Sequence, residues 1–346
     1  MNAAVPKIRF HDSQIQMAHG AGGKATRKLV EGLFAPLLFG ASTEPLGDAA
    51  HININGTRIA VTTDSFVVKP LSFPGGSIGE LAVNGTVNDL AVSGAKAEAL
   101  VVTYVLEAGL PTEILEAEVR AMGNAATRAG VAISAGDTKV VEHGKADRMY
   151  ITSAGIGRLI PGLTVSPTSV RPGDKVLISG PVGDHGITIL LSRGELDLEG
   201  EICSDTRSVL PFVEAIADVA APAVRWMRDP TRGGVATALN ELARDCSLSV
   251  FLFEDRIPIR DTVRGACELL GLDPLHIANE GQFVCVIAAD YAEIALDVLR
   301  KLPGGELAAL IGEIRDQPAA TVLGATNYGG TRVIDMLVGD PLPRIC

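Results

Sequence analysis

The sequence predicts an α+β protein built as two layered domains, and three observations carry that expectation. Its 346 residues are more than one hydrophobic core usually serves. Strand-like and helix-like runs are mixed in both halves, without the strict alternation of a doubly wound sheet. Residues 158–173 hold three prolines and little periodicity, which places a boundary between the halves there. The expected segments are 1–40, an N-terminal domain at 41–160, a C-terminal domain at 170–335, and a flexible tail at 336–346.

Each element follows from its pattern. Residues 57–68 alternate as a strand, with Ile59, Val61 and Thr63 on one face and Asp64 near the end. Residues 78–92 read as a helix whose apolar positions are Leu81, Val83, Val87, Leu90 and Ala91; Asn84, Asn88 and Asp89 are its polar ones. Residues 99–106 form a continuous apolar strand. Residues 112–129 form an amphipathic helix through Leu115, Val119, Met122 and Ala126, stopped by Gly130. A short strand at 131–134 runs into a turn at Gly136-Asp137-Thr138-Lys139, and 149–157 is a further strand. In the second half, strands are expected at 175–179, 224–227, 248–253 and 282–288, and helices at 207–219, 234–244 and 291–302.

Composition narrows the function classes. The chain is 47% hydrophobic but only 4% aromatic, so Ala, Val, Gly and Leu do the packing. A net charge of −11 argues against a nucleic-acid backbone or an anionic membrane as main partner. Phosphate ligands stay possible where Mg²⁺ bridges them to carboxylates. The five cysteines, Cys203, Cys246, Cys267, Cys285 and Cys346, form no C-x-x-C pair, which removes zinc and thioredoxin-like motifs. An odd count with Cys285 inside an apolar run suggests reduced thiols and a cytoplasmic chain. Neither a signal peptide nor an apolar run of ~18 residues is read.

Several residues could carry chemistry. Asp48, Asp64, Asp89, Asp137 and Asp229 lie at strand ends, beside glycine or, for Asp89, in an apolar helical run. A dispersed carboxylate set suits Mg²⁺ and a phosphate substrate, although any single one could be a turn or cap residue. Lys139 could hold a phosphate oxygen as a point charge. Glu280, directly before an apolar strand, could be a general base or a turn carboxylate. His185 reads as structural. The cluster His19-Gly20-Ala21-Gly22-Gly23-Lys24 has neither Walker A nor dinucleotide-fold spacing, and is either a flap over a ligand or a turn. Hydrolase triad and H-E-x-x-H signatures are missing. Finally, Pro341-Leu342-Pro343-Arg344-Ile345-Cys346 reads as a loose arm with a thiol on its last residue. Extended from Met336, it spans roughly 30 Å.

The runs Val61–Val68, Phe73–Gly76, Leu81–Ala91, Ala135–Val141, Gly180–Gly186, Asp229–Val235 and Asn279–Gly281, with the end Pro343-Arg344-Ile345-Cys346, resemble the HypE family of hydrogenase maturation factors. That family is a branch of the PurM-like superfamily of aminoimidazole ribonucleotide (AIR) synthetase, selenophosphate synthetase and thiamin-monophosphate kinase. The matching runs span nearly the whole chain, and the terminal cysteine is the most specific among them. Selenophosphate synthetases carry their reactive Cys or selenocysteine near the N-terminus, whereas the first cysteine here is Cys203.

The resemblance implies an N-terminal domain that dimerises through its sheet, a C-terminal α+β domain, and ATP in the cleft between them. It implies that a carbamoyltransferase, HypF, loads a carbamoyl group onto Cys346. An ATP-dependent dehydration then makes the thiocyanate, whose cyanide passes to iron on a HypC–HypD complex for [NiFe]-hydrogenase. On this basis Cys346, Lys139 and Glu280 would be catalytic. Asp64, Asn84, Asn88, Asp137 and Thr138 would bind nucleotide, and Asp48, Asp64, Asp89 and Asp229 would hold Mg²⁺. A PurM-like ATPase acting on a free small molecule, and a non-catalytic carrier that docks maturation partners, are the alternatives.

Overall fold

The computed structural model describes residues 9–39, 46–194, 200–326, 328–339, 342 and 344–346. The expected boundary near residue 40, and Pro341 and Pro343, lie outside the described residues. Helices α1 (Lys24–Leu29) and α2 (Ala35–Leu38) precede strands β1 (Ala50–Ile54), β2 (Thr57–Phe66), β3 (Ser72–Phe73) and β4 (Gly76–Ser77). Helix α3 (Ile78–Val92), β5 (Ala95–Glu107), α4 (Thr112–Ala129), β6 (Ala132–Val141) and β7 (Met149–Leu159) follow. The first sheet has the order β1-β2-β7-β5-β6, and only its β5–β6 pair is parallel.

The second half carries β8 (Lys175–Ile178), α5 (Asp184–Ser192), α6 (Leu210–Ala220), β9 (Val224–Arg228), α7 (Gly234–Cys246), β10 (Ser249–Phe253) and α8 (Asp261–Leu270). It closes with β11 (Val284–Ile287), α9 (Ala289–Arg300), β12 (Ala309–Arg315), β13 (Thr321–Ala325) and β14 (Thr331–Val333). Its sheet runs β14-β13-β10-β12-β8-β11-β9, with one parallel pair, β10–β13. Two mostly antiparallel sheets with helices stacked on them are the α+β arrangement the sequence implies.

Helix α3 explains how the first sheet is built. It is buried at every position except Glu80 and Asp89, and packs on β2, β5, β7 and α4. A helix apolar on nearly all sides must be an internal one. One core runs from this helix into the second half, joining Leu81, Val87 and Leu100 to Phe212, Ile216 and Phe283. The opposite face of the first sheet is bare. Ile52, Ile54, Val101 and Ile156 on it are 42%, 51%, 44% and 46% exposed.

Three expectations change. On β2 the buried side is that of Ala60, Thr62 and Phe66, while Thr63 is exposed; period-two alternation therefore turns Asp64 inward. The turn expected at Gly136–Lys139 is absent. Strand β6 continues through it, pairing Asp137 with Thr103 and Lys139 with Val105. Gly136 permits this because a Cβ there would lie 2.5 Å from the Val102 carbonyl oxygen, so the glycine marks close strand approach. The tail, expected to be loose, is docked at its described residues, with Leu342 and Ile345 buried.

Candidate active site between the two halves

Three carboxylates meet where the halves meet. Asp48 precedes β1, Asp89 lies on α3 and Asp229 follows β9 directly; one carboxylate oxygen from each lies within 4.8 Å of the other two. Thr62 Oγ1, on the inward side of β2, is 2.8 Å from Asp89 Oδ2 and 2.7 Å from the Asp48 carbonyl. Arg228 Nε sits 3.0 Å from Asp48 Oδ2, and its Nη1 donates to Glu241 of α7 at 3.0 Å. Asp229 opens the turn Asp229-Pro230-Thr231-Arg232-Gly233-Gly234, tied by Gly234 N–H to the Thr231 carbonyl. Gly233 has φ of +76°, and a Cβ there would come within 2.2 Å of Thr237 Oγ1, so the turn requires glycine.

These carboxylates oppose ionisation. Burial raises Asp48 to about 6, against the partial relief of Arg228. Burial first, then Asp229, Asp48 and Asp64, hold Asp89 well above the usual carboxylate range. Asp229 is raised by burial and then by Asp48, with Arg228 opposing. Burial raises Asp64, against Arg232. Three crowded hard oxygen donors fit Mg²⁺, whose ligands stand about 2.0–2.1 Å from the ion and so within about 4.2 Å of each other. Glu280 joins the group from the second half. It is 3% exposed, its Oε1 is buried without a hydrogen-bond partner among the described residues, and burial followed by Asp64, Asp229 and Asp205 raises it strongly.

The two asparagines are engaged with protein. Asn88 Nδ2 donates to the carbonyls of Arg207 (3.0 Å) and Glu280 (3.2 Å), and its Oδ1 accepts from Val209 N–H at 2.8 Å. Asn84 Nδ2 donates to Thr206 Oγ1 at 3.1 Å. Both side chains tie α3 to residues 206–209. Asp205 backs Glu280, accepting from the N–H groups of Glu280 and Gly281 at 3.0 and 3.2 Å.

Asp137, Thr138 and Lys139 stand apart from this cluster within one chain. They are exposed on β6, the edge strand, with β5 and β7 between it and β2. Asp137 and Lys139 pair at 2.5 Å, and the ammonium beside it, followed by the Thr138 N–H, lowers the Asp137 carboxyl. Asp137 shares a register line with Thr103, Thr152 and Ser65, one residue off the Asp64–Ser153 line. It therefore faces the bare side of the sheet while Asp64 faces the helices.

The glycine cluster is packed rather than open. Arg232 Nη1 donates to the Gly20 carbonyl at 2.8 Å, and a Cβ on Gly22 would lie 2.6 Å from the Arg232 carbonyl oxygen. Lys24 N–H donates to Leu337 at 2.9 Å. The segment thus lies against the Asp229–Gly234 turn.

Cys346 lies at the same seam. Val67 N–H donates to a main-chain oxygen of Cys346 at 2.9 Å, and Lys69 N–H to the Arg344 carbonyl at 3.2 Å. Val67 is three residues past Asp64, roughly 10 Å along an extended chain. Arg344 Nη1 donates to Asp147 at 2.6 Å, and Arg193 to the Arg344 carbonyl at 2.9 Å. Sequence reasoning missed Arg228, Asp205 and Thr62. Arg228 adjoins Asp229 in the chain, but only folding shows that it neutralises Asp48.

The chain is a two-part AIR synthase-related protein. The AIR synthase related N-terminal domain matches residues 46–159 and the C-terminal domain residues 171–324. Within that class it belongs to the HypE family. The carbamoyl dehydratase HypE of Azotobacter vinelandii is 44% identical over 340 residues, 98% of this chain and 99% of its own. A HypE–HypF complex contains a chain of 43% identity and TM-score 0.84, covering 89% of this chain and 99% of that one. A HypE structure in complex with ATP has 42% identity and TM-score 0.80, covering 96% and 100%. No helix among the described residues is long and apolar enough to cross a membrane.

Proposed function

We propose that this chain is an ATP-dependent dehydratase of a carbamoyl group carried on its own Cys346, supplying cyanide for the iron of [NiFe]-hydrogenase. The observation that carries the proposal is the docking of the Cys346 main chain on Val67, just beyond the strand that supplies Asp64. A docked segment that carries a thiol and meets the chain roughly 10 Å beyond Asp64 fits a substrate attached to the enzyme itself. Relatives named for HypF and ATP complexes support HypF as the source of the carbamoyl group and ATP as co-substrate. HypC–HypD would receive the cyanide, and the reaction would take place in the cytoplasm.

Amide oxygen is a poor leaving group until it is phosphorylated. Transfer of the γ-phosphoryl group to the oxygen of Cys–S–CO–NH₂ gives Cys–S–C(OPO₃)=NH, ADP and one proton. Loss of phosphate and of the remaining N–H proton then gives Cys–S–C≡N. Asp48, Asp89 and Asp229, with Asp64 beside them, would hold Mg²⁺, which when bound neutralises phosphate charge. Glu280 receives the N–H proton once Asp64 and Asp229 are neutralised, because those carboxylates otherwise hold its own proton on. Asn84 and Asn88 serve by bracing α3 against residues 206–209. Asp137, Thr138 and Lys139 serve the site of a second subunit, reached through a homodimer formed on the bare sheet face. Lys139 then supplies positive charge at the carbamoyl or phosphate oxygen.

Cys346→Ala is the direct test. An enzyme acting on a free small molecule keeps its full ATP turnover with that molecule, and a non-catalytic carrier shows no carbamoyl-dependent ATP hydrolysis in either form. The proposed enzyme hydrolyses ATP in response to carbamoylation, and loses that response completely in the variant.

A further inference from the structure

His185 is buried on α5, and nothing above gives it a part in the reaction. Its ring is held on both nitrogens: Nε2 lies 2.6 Å from the Ile345 carbonyl oxygen and Nδ1 2.7 Å from Ser204 Oγ. A carbonyl oxygen can only accept, so Nε2 carries the proton and donates. Burial lowers the ring's pKa to about 4, so it is neutral near pH 7 and Nδ1 is an acceptor. The Ser204 hydroxyl must therefore donate to it, while Ser204 Oγ in turn accepts from Thr206 N–H at 3.1 Å. Phe73 meets the imidazole edge-on, with centroids 5.5 Å apart and planes at 82°, which fixes the ring's tilt.

This directed chain ends on the peptide group that immediately precedes Cys346. The main-chain oxygen on the other side of the Cys346 Cα is held by Val67 N–H. Both main-chain groups flanking the Cys346 Cα are thus held. Arg344 has φ of +58°, a conformation a side-chain-bearing residue rarely keeps unless its surroundings impose it. Arg193 and Asp147 grip that residue from opposite halves of the molecule. The same loop reaches the site, because Thr206 accepts from Asn84 of α3 and Asp205 backs Glu280.

We propose that His185 is a positioning residue that latches the Cys346 segment into the seam, with Ser204 setting the tautomer in which Nε2 donates. The purpose of the latch rests on the dehydratase reading, but its existence does not, and its test needs neither ATP nor a partner. The readout is amide hydrogen exchange at Val67 and Lys69 in the full chain, whose N–H groups are covered by the docked tail. A chain stopped after Leu342 sets the undocked level. In His185→Gln the side-chain amide can still donate where Nε2 stood, whereas in His185→Asn it is too short to reach Ile345.

Exchange at Val67 and Lys69 should rise about tenfold in His185→Asn, the scale of one buried hydrogen bond, and stay near the parent value in His185→Gln. Strands β8 and β11 should keep their protection in both variants. Equal protection at Val67 and Lys69 in the Gln and Asn variants overturns the proposal, as does parent protection no greater than in the shortened chain. Should tail docking hold while no thiocyanate is ever formed, the latch survives and the dehydratase reading fails.

Discussion

Asp48, Asp89 and Asp229 show how a buried site can be unstable until its ligand arrives. Each is pushed above the ordinary carboxylate range, chiefly by burial. A carboxyl whose folded pKa exceeds its unfolded one binds more protons when folded, so its contribution to stability falls as pH rises through the window between the two values. For Asp48 that window runs from 3.8 to about 6. If Mg²⁺ is held there, as proposed, it would displace those protons and should raise the melting temperature more at pH 7.5 than at pH 5. Asp229→Asn should remove most of that increment; an equal rise at both pH values, or in the variant, contradicts the metal assignment. Glu280→Gln is nearly isosteric and should stop the reaction at the carbamoyl stage, lowering nitrile formation by ~10²-fold or more, as loss of a general base does. Mass analysis that found nitrile forming at the parent rate would remove Glu280 from that role. The aspartates stand out in the sequence because they sit beside glycine or in apolar runs. Arg228, which balances them, does not stand out, because its meaning depends on Asp48 and Glu241 coming to it from distant parts of the chain.

The elements themselves were the most legible layer. Helices α3 and α4 match their expected ranges because burial all round and a glycine stop leave strong patterns. Strand β6 departs from the turn expected there for a physical reason: Gly136-Asp137-Thr138 has turn composition, yet its glycine serves close packing against Val102. Helices α5 and α8 and strands β12, β13 and β14 are not among the expected elements; β12 and β13 are interrupted by Gly312 and Gly324, and glycine weakens a strand pattern. The bare outer face of the first sheet leads to a prediction at this scale. Ile156→Arg or Val101→Arg should convert a dimer to a monomer in light scattering, since burying an unpaired charge in an apolar interface is strongly unfavourable. Activity should fall with it if Lys139 works across the interface, and mixed dimers of Lys139→Ala with Cys346→Ala subunits should then differ from either parent dimer. A monomeric parent protein, or a monomeric variant of full activity, contradicts the shared site.

At the scale of the whole molecule, the two halves close on one another through polar ties as well as through a common core. Arg228 joins Asp48, Asn88 joins Arg207 and Glu280, Lys96 joins Glu214 at 2.9 Å, and the tail joins Val67 and Asp147 to His185 and Arg193. The resemblance of the terminal motif points to the family, but the sequence suggests a free arm where folding gives a docked one. Donors from residues 67–69 and from α5 and its C-terminal end, with Asp147 as an acceptor, meet the last residues, and no local pattern announces that. Transfer from HypF and dehydration would need the segment to leave and return, which means withdrawing Leu342 and Ile345 from the core as well as breaking these hydrogen bonds. The most direct measurement is mass analysis of the peptide containing Cys346 in chain first carbamoylated by the partner and cleared of nucleotide, then incubated with and without ATP and Mg²⁺. The account predicts one added carbamoyl group in either case and loss of one water only with ATP. A carbamoylated peptide that keeps its water in the presence of ATP, or that loses it without ATP, contradicts the account.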